Sequence, residues 1–352
     1  MTSLSPTPGP CPGLRYADCS RPGISRRSIA DKGAGEGAGK GAGEASFAWH
    51  YIAADGKRIR RKLEIARLDA IALPPAYTHC WFSPDPDVHI LATGLDARGR
   101  KQYRYHPEWR SHRDARKFED CLAFGAALPA LRAQVAEDLA GRGLHRHRVI
   151  ASVVALLDTG AIRVGNERYA RENRSFGATT LRQRHARIEK GHLLLHFKGK
   201  SGRTRTIDCT DPVLVRCVRR MQDLPGQHLF QYRDAEGAVH PVHSHDVNDY
   251  LGEAMGAAFT AKQFRTFTAS AMAFARFWHD REVTLGEVLR EVAEQLGNTP
   301  AVARTSYVHP SVIAAVKGEI TPAGGVHLPR KTRWMTREER GFLAFLQGLP
   351  DS

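Results

Sequence analysis

The sequence predicts an α+β fold, with a small β-rich N-terminal domain followed by a mostly α-helical domain. Three observations carry this. Between residues 46 and 110, strand-forming residues such as Trp49, Tyr51, Ile59, Trp81, Ile90, Tyr103 and Tyr105 alternate with turn signals at Asp55-Gly56, Pro74-Pro75 and Arg98-Gly99. From about residue 115 the apolar residues recur at helical spacing, with capping signals in front of several runs. A single glycine-turn hairpin interrupts this helical half.

Residues 1–45 are rich in Pro, Gly, Ser and Ala and end in a repetitive stretch from Gly33 to Gly43. Such a segment buries too little apolar surface to offset its ordering entropy, so it is expected to be a disordered basic arm. Residues 46–110 form the β-rich domain and residues 111–325 the helical one. Within the latter, one helix is expected over 115–127 and a second from Pro129, because proline suits a first helical turn. A third covers 148–157, with Val149, Ile150, Val153, Val154 and Leu157 as its apolar face. Asp211-Pro212 opens another. Thr260 with Gln263 forms a capping box ahead of Phe264, Phe267, Phe274 and Phe277. Thr284 with Glu287 forms a second box ahead of Leu285, Val288, Leu289, Val292 and Leu296, and Gly297 stops that helix. The hairpin runs from His192 to Phe197, turns over 198–202 and returns from Arg203 to Ile207. Residues 326–352 read as a basic tail ending in a short helix that packs on the body, started by Thr336 and Glu339, with Phe342, Leu343, Phe345 and Leu346 apolar.

Composition bounds the function. The 352 residues hold 52 Lys plus Arg against 37 Asp plus Glu, a formal net charge of +15. With a pI near 9.8, such a chain suits a nucleic-acid partner. The six cysteines form no paired or zinc-like spacing, which fits reduced thiols in an intracellular protein. No signal core or long apolar run occurs, so no membrane partner is expected, and the location is that of the DNA: cytoplasmic and nucleoid-associated.

Four separated stretches carry the candidate chemistry: Ile162 to Tyr169, Phe197 to Lys200, Lys262 to Arg265, and Leu296 to Asn298 with Tyr307 to His309. They offer arginines, lysines, an amide and a tyrosine, without the clustered carboxylates of a Mg²⁺ site. That inventory suits phosphoryl transfer without a cofactor. Arginine's charged fork donates to non-bridging phosphate oxygens. Tyrosine attacks as a nucleophile and is stored as a phosphodiester. Its ordinary pKa is about 10, so cationic surroundings help it lose its proton. A lysine gives a proton to the leaving alkoxide.

Taken singly, each of these residues has an ordinary surface or packing explanation; their order and spacing decide. The sequence resembles the poxvirus and bacterial small type IB topoisomerases over about residues 46–325. Arg163 sits like that family's first catalytic arginine, with Tyr169 six residues on. Lys200 falls 37 residues after Arg163 in a Gly-Lys turn. Lys262 and Arg265 reproduce a Lys-x-x-Arg motif, and Tyr307 lies nine residues after Asn298. The stretch Gly99 to Tyr105 is similar to the N-domain segment that enters the DNA groove. The poxvirus branch has histidine where this chain has Asn298. An amide still donates to a phosphate oxygen but carries no proton charge, so an electrostatic role survives there and a proton-transfer role does not.

The resemblance implies a type IB DNA topoisomerase of the topoisomerase/tyrosine recombinase fold, a monomer closing as a C-shaped clamp on duplex DNA. It implies attack by Tyr307, transition-state stabilisation by Arg163, Arg265 and Asn298, and proton donation by Lys200 assisted by Lys262. Strand rotation and religation follow, without ATP or metal. Lys101 is expected on phosphate, with Gln102, Tyr103, Tyr105 and Tyr169 on bases or backbone. The competing readings are a tyrosine recombinase, disfavoured by the β-rich N-terminal half, and a non-catalytic DNA-binding protein, disfavoured by the ordered catalytic set.

Overall fold

The computed structural model describes residues 11, 13–28, 49–320 and 328–349. The chain divides into two compact units, Thr7–Ala115 and Arg116–Ser352. The division lies a few residues beyond the expected boundary at 110.

In the smaller unit, β1 (Ser25–Ser28) pairs antiparallel with β2 (Trp49–Ile52), and α1 (Lys62–Ala70) follows. A three-stranded antiparallel sheet is formed by β3 (Thr78–Phe82), β4 (Ile90–Leu95) and β5 (Lys101–Tyr105). Ile24, Tyr51, Leu68, Leu73, Phe82 and Ala92 make its core.

One expectation is corrected here. Part of the segment read as a disordered arm is built into this unit, because β1 supplies the partner strand of β2. The Arg26 guanidinium donates to the carbonyls of Leu73, at 2.6 Å, and Pro74, and lies 4.3 Å from the centre of the Trp49 ring. Burial of Ile24 and Leu14 adds to this. Local composition underestimates such a segment because its partners lie tens of residues away. The remainder of the expected arm, including Gly33 to Gly43, lies outside the described residues.

The next helix, α2 (Pro107–Ala140), runs without a break through Pro129, where two helices were expected. Proline inside a helix costs about 3 kcal/mol. Against that stands one continuous buried stripe of Cys121, Phe124, Leu128, Leu131, Val135 and Leu139, each large apolar side chain contributing about 1.5–3 kcal/mol. Tertiary burial outweighs the local signal.

The larger unit continues with α3 (Arg146–Gly160) and α4 (Glu167–Asn173). The strands β6 (Ala186–Glu189), β7 (His192–Lys198) and β8 (Thr204–Cys209) then form an antiparallel sheet. After α5 (Pro212–Gln222), a two-stranded ribbon of β9 (Gln231–Arg233) and β10 (Val239–Pro241) leads to α6 (Ser244–Met255). Next come α7 (Ala261–His279), α8 (Leu285–Leu296), α9 (Pro300–Ser306) and α10 (Pro310–Val316). The α3 helix is buried almost all round, and α7 lays Phe264, Phe267, Phe274 and Phe277 into the same core.

The C-terminal helix α11 (Arg337–Gln347) inserts Phe342 and Phe345 into that core, and Phe342 meets Phe267 at 5.8 Å between ring centres. Half-buried Arg132 of α2 ties it down, pairing with Asp158 of α3 at 2.7 Å and Glu339 of α11 at 2.6 Å. The expected tail is therefore a structural part of this unit. Among the described residues, no helix is long and apolar enough to cross a membrane.

Candidate active site

The site gathers on the ends of α3, α7 and α8 and on the α9–α10 junction. At the end of α3, Ala161 takes a left-handed conformation (φ 46°) and turns the chain toward Arg163. The Arg163 loop is then clamped: its carbonyl accepts from Ala178 N at 2.8 Å, and that of Val164 accepts from Thr179 N at 2.7 Å. Gly177 makes the approach possible, since a Cβ there would lie 2.5 Å from the Arg163 carbonyl oxygen.

From this loop Arg163 donates through Nη2 to Asn298 Oδ1 at 2.9 Å. Asn298 follows Gly297, which ends α8 at φ 63°. Its backbone N–H donates to Ala293 O at 2.8 Å. Arg163 fixes which way the amide points, because its Oδ1 must face the donor. The amide nitrogen Nδ2 is consequently directed elsewhere, and it is buried with no partner among the described residues.

Arg265, one turn into α7, is 3 % exposed. Its guanidinium donates to the carbonyls of Ala161 and, at 3.0 Å, Leu296, so it bridges the ends of α3 and α8. Its Nε is also buried without a partner. Burial pushes its pKa down to about 10, a trend that Arg163 adds to and Tyr307 opposes. It therefore stays charged at neutral pH. Arg265 Nε and Asn298 Nδ2 are two of six buried side-chain polar atoms without a partner among the described residues, and these two belong to the group that Arg163 joins, where they are able to donate to an oxyanion.

Tyr307 caps α9 and is half-buried, its ring centre 4.8 Å from Arg265 Cζ. Burial by itself raises the pKa of its phenol. The charges and hydrogen bonds of Arg265 and Arg163 outweigh that and hold it below the ordinary tyrosine value. Its backbone is held by buried Ser270, whose hydroxyl lies 3.1 Å from Tyr307 O and 3.0 Å from His309 N. The sequence reading passed over Ser270, since a serine inside an aromatic helix carries no local signal.

The other expected catalytic residues are placed differently. Lys200 is exposed in the turn between β7 and β8, where Ser201 and Gly202 both have positive φ. It makes no hydrogen bond or ion pair among the described residues. The turn itself is tethered: Arg203 donates to Asn298 O at 2.6 Å, and Arg205 packs against Gly297. Arg205 is a further cation that sequence reasoning missed. Burial, and then Arg163, lower its pKa. Lys262, in the first turn of α7, is exposed and is likewise without a partner among the described residues. Lys117 was also missed. Its ammonium donates to the Ser306 carbonyl and lies 5.5 Å from the Tyr307 ring centre.

In the smaller unit, strand alternation puts Lys101, Tyr103 and Tyr105 on the exposed face of β5. The two tyrosine rings stack at 5.9 Å with an interplanar angle of 18°. Gln102 belongs to the opposite face and donates to Asp96 Oδ2 at 2.9 Å, so it stands apart from the aromatic pair. Tyr169 is half-buried in the first turn of α4, where its N–H is capped by Asn166 at 2.9 Å. Among the described residues no group of three or more His, Cys, Asp or Glu is placed to hold a metal ion.

The Tyr307 phenol lies against two guanidiniums, and one of them, Arg163, holds the Asn298 amide, a cationic arrangement able to receive an anionic group. Comparison with known proteins gives the family. The model of the eukaryotic DNA topoisomerase I catalytic core matches residues 106–323, and that of the bacterial DNA topoisomerase IB N-terminal domain matches residues 48–96. The DNA topoisomerase 1B of Acanthamoeba polyphaga mimivirus is 33% identical over 260 residues, covering 70% of this chain and 77% of that protein. The DNA topoisomerase 1B of vaccinia virus (strain Western Reserve) is 17% identical over 242 residues, 65% of this chain and 73% of that one. The DNA topoisomerase 1 of Mycosarcoma maydis is 25% identical over 225 residues, 57% of this chain but 21% of that protein. A solved structure of the XerH site-specific recombinase in a post-cleavage complex is 15% identical at a TM-score of 0.30. It covers 50% of this chain and 47% of that one. The chain belongs to the type IB DNA topoisomerases, a family of isomerases.

Proposed function

We propose that the chain relaxes supercoiled duplex DNA through a covalent bond to Tyr307. The phenolate attacks a backbone phosphorus and forms a 3′-phosphotyrosyl bond, and the 5′-oxygen of the next nucleotide leaves. Arg163, Arg265 and Asn298 donate to the non-bridging oxygens, whose charge grows in the transition state. Lys200 supplies the proton to the leaving oxygen, with Lys262 as its helper. The cut end rotates about the intact strand, and the 5′-hydroxyl then attacks the phosphotyrosine to reseal it. The bond energy is retained throughout, so neither ATP nor metal is required. Lys101, Tyr103, Tyr105 and Tyr169 contact the duplex, and the chain acts as a monomer on nucleoid DNA in the cytoplasm.

The observation that carries this reading is the placement of the Tyr307 phenol against Arg163 and Arg265, with buried donors on Arg265 and Asn298 left unmet. The test is plasmid relaxation in a chelator without ATP. Both supercoil signs should relax on an unbroken ladder of topoisomers. A requirement for paired specific sites would return the chain to the recombinase reading, and no relaxation at all would return it to a DNA-binding one.

A further inference from the structure

The segment that carries Tyr307 is held on both flanks by one short stretch of α2. On the N-terminal flank, the Lys117 ammonium donates to the Ser306 carbonyl. On the C-terminal flank, the His309 ring meets the Phe118 ring at 5.5 Å between centres and an interplanar angle of 72°. Lys117 and Phe118 are neighbours in sequence, and both belong to the larger unit. The proposed reaction uses neither Lys117 nor His309.

His309 is the N-cap of α10, where its Nδ1 accepts from Ser311 N at 3.2 Å. Asp, Asn, Ser and Thr cap a helix without placing a ring, and histidine does so only while Nδ1 carries no proton. Burial meets that condition. It pushes the His309 pKa down to about 4, against a hydrogen bond to the Phe118 backbone that raises it. The ring is therefore neutral at neutral pH, with its one proton on Nε2. Besides Phe118 of α2, the ring meets Phe342 of α11 at 6.3 Å between centres. The His309 backbone N–H donates to buried Ser270 Oγ of α7 at 3.0 Å. One residue thus ties the start of α10 to α2, α7 and α11.

Helix capping accounts for the bond to Ser311 and for nothing else in this set. It requires neither a ring wedged between α2 and α11 nor a second contact of α2 on the other side of Tyr307. Tyr307 itself leaves helical geometry, at φ −136° and ψ −40°, so α9 alone does not set its direction. Only Val308, 1% exposed, separates it from His309. Where the imidazole sits therefore bears directly on where the phenol points.

We propose that His309 and Lys117 are positioning residues for Tyr307, which clamp the backbone on either side of it against α2 and so hold the phenol in place beside Arg265. The Tyr307 ring centre lies 4.8 Å from Arg265 Cζ, a separation that a loosened backbone would lengthen. A reacting atom displaced by about 1 Å loses on the order of a hundredfold in rate. That consequence rests on Tyr307 as the nucleophile; the effect of the clamp on the ionisation of the phenol does not.

The test uses the full chain. His309→Asn keeps a neutral cap acceptor and removes the ring. Lys117→Met removes the donor to Ser306, and Lys117→Arg keeps one. Each is labelled with [13Cζ]tyrosine and titrated by NMR without DNA, the Tyr307 signal being the one missing from Tyr307→Phe. His309→Asn exchanges one neutral group for another, so a shift of the Tyr307 inflection in that variant reports position alone. The inflection should move upward in His309→Asn and Lys117→Met and stay near wild type in Lys117→Arg. Single-turnover cleavage at saturating duplex should slow by about ten- to a hundredfold in the first two and largely recover in the third. Duplex affinity within a few-fold of wild type and a melting temperature within a few degrees separate displacement from unfolding, and the Lys117 pair decides the matter if His309→Asn does not fold. The proposal is overturned if folded variants keep the wild-type inflection, whether or not cleavage slows, since the phenol is then in its place. A moved inflection together with a wild-type adduct that maps to another residue keeps the clamp and removes the proposed reaction.

Discussion

The reaction centre has two regions that differ in burial. Arg163, Arg265, Asn298 and Tyr307 are held by named backbone contacts and by one another. Lys200 and Lys262 are exposed and have no partner among the described residues. The first region is assigned charge stabilisation, which gains from donors fixed before the reaction. The second is assigned proton delivery to a leaving group that enters with the DNA. A lysine buried beside two arginines would tend to lose its proton before use. On the proposed reaction, the division means that the oxyanion contacts are built beforehand and the acid is positioned by substrate.

The largest expected effect lies in the built region. Arg265→Ala and Arg163→Ala should each slow single-turnover cleavage by about 10²–10³-fold or more, the range for losing one preorganised donor. Rates within a few-fold of wild type would return both to structural ion-pairing roles. The same arginines set a pH signature. Since they hold the Tyr307 phenol below its ordinary value, cleavage limited by phenolate should rise with pH and level off below pH 10. Removing either arginine should move that inflection upward. An unmoved inflection would show that the phenol's ionisation does not govern the rate.

The next effect separates the two regions. An alkoxide leaving group, with a pKa comparable to the 15.7 or so of water, needs a proton, whereas a thiolate, at about 8.5, does not. Replacing the bridging 5′-oxygen with sulfur should therefore restore cleavage by Lys200→Ala and leave Arg163→Ala slow. Rescue of both variants, or of neither, would remove Lys200 as the acid and make Lys262 the leading candidate.

A smaller effect is expected at Asn298, whose Oδ1 is already spent on Arg163 and whose Nδ2 is the free donor. Asn298→Ala should slow cleavage by about ten- to a hundredfold, one hydrogen bond to a charged group. Asn298→His, which restores a donor, should recover most of it. The smallest expected effect lies away from the chemistry. Arg26→Ala leaves the carbonyls of Leu73 and Pro74 without their donor and should lower stability by about 1–3 kcal/mol, read from the denaturant midpoint. Cleavage of pre-bound DNA should not change.

The catalytic chain segments were legible because their signals are local. Capping boxes at Thr260 and Thr284 mark the helices that carry Arg265 and lead to Asn298, and the glycine turn marks the Lys200 hairpin. The failures have the opposite cause. Pro129 reads locally as a helix start, yet the buried stripe on either side of it holds α2 in one piece. Residues 25–28 read as part of a tail, since their partner strand lies beyond a Gly-rich insertion. Ser270 and Arg205 join the site through contacts far apart in sequence, and nothing in their neighbourhoods announces it.

The central claim is that Tyr307 is the nucleophile of a pre-built oxyanion site. Wild type and Tyr307→Phe should be mixed with labelled duplex and quenched in detergent, the adduct counted, and its attachment point mapped by peptide mass. Wild type should form an adduct whose DNA 3′-phosphate is bonded to Tyr307. The Phe variant should bind the same duplex within a few-fold and form none. An adduct with the Phe variant, or a wild-type adduct that maps to any other residue, would contradict the account.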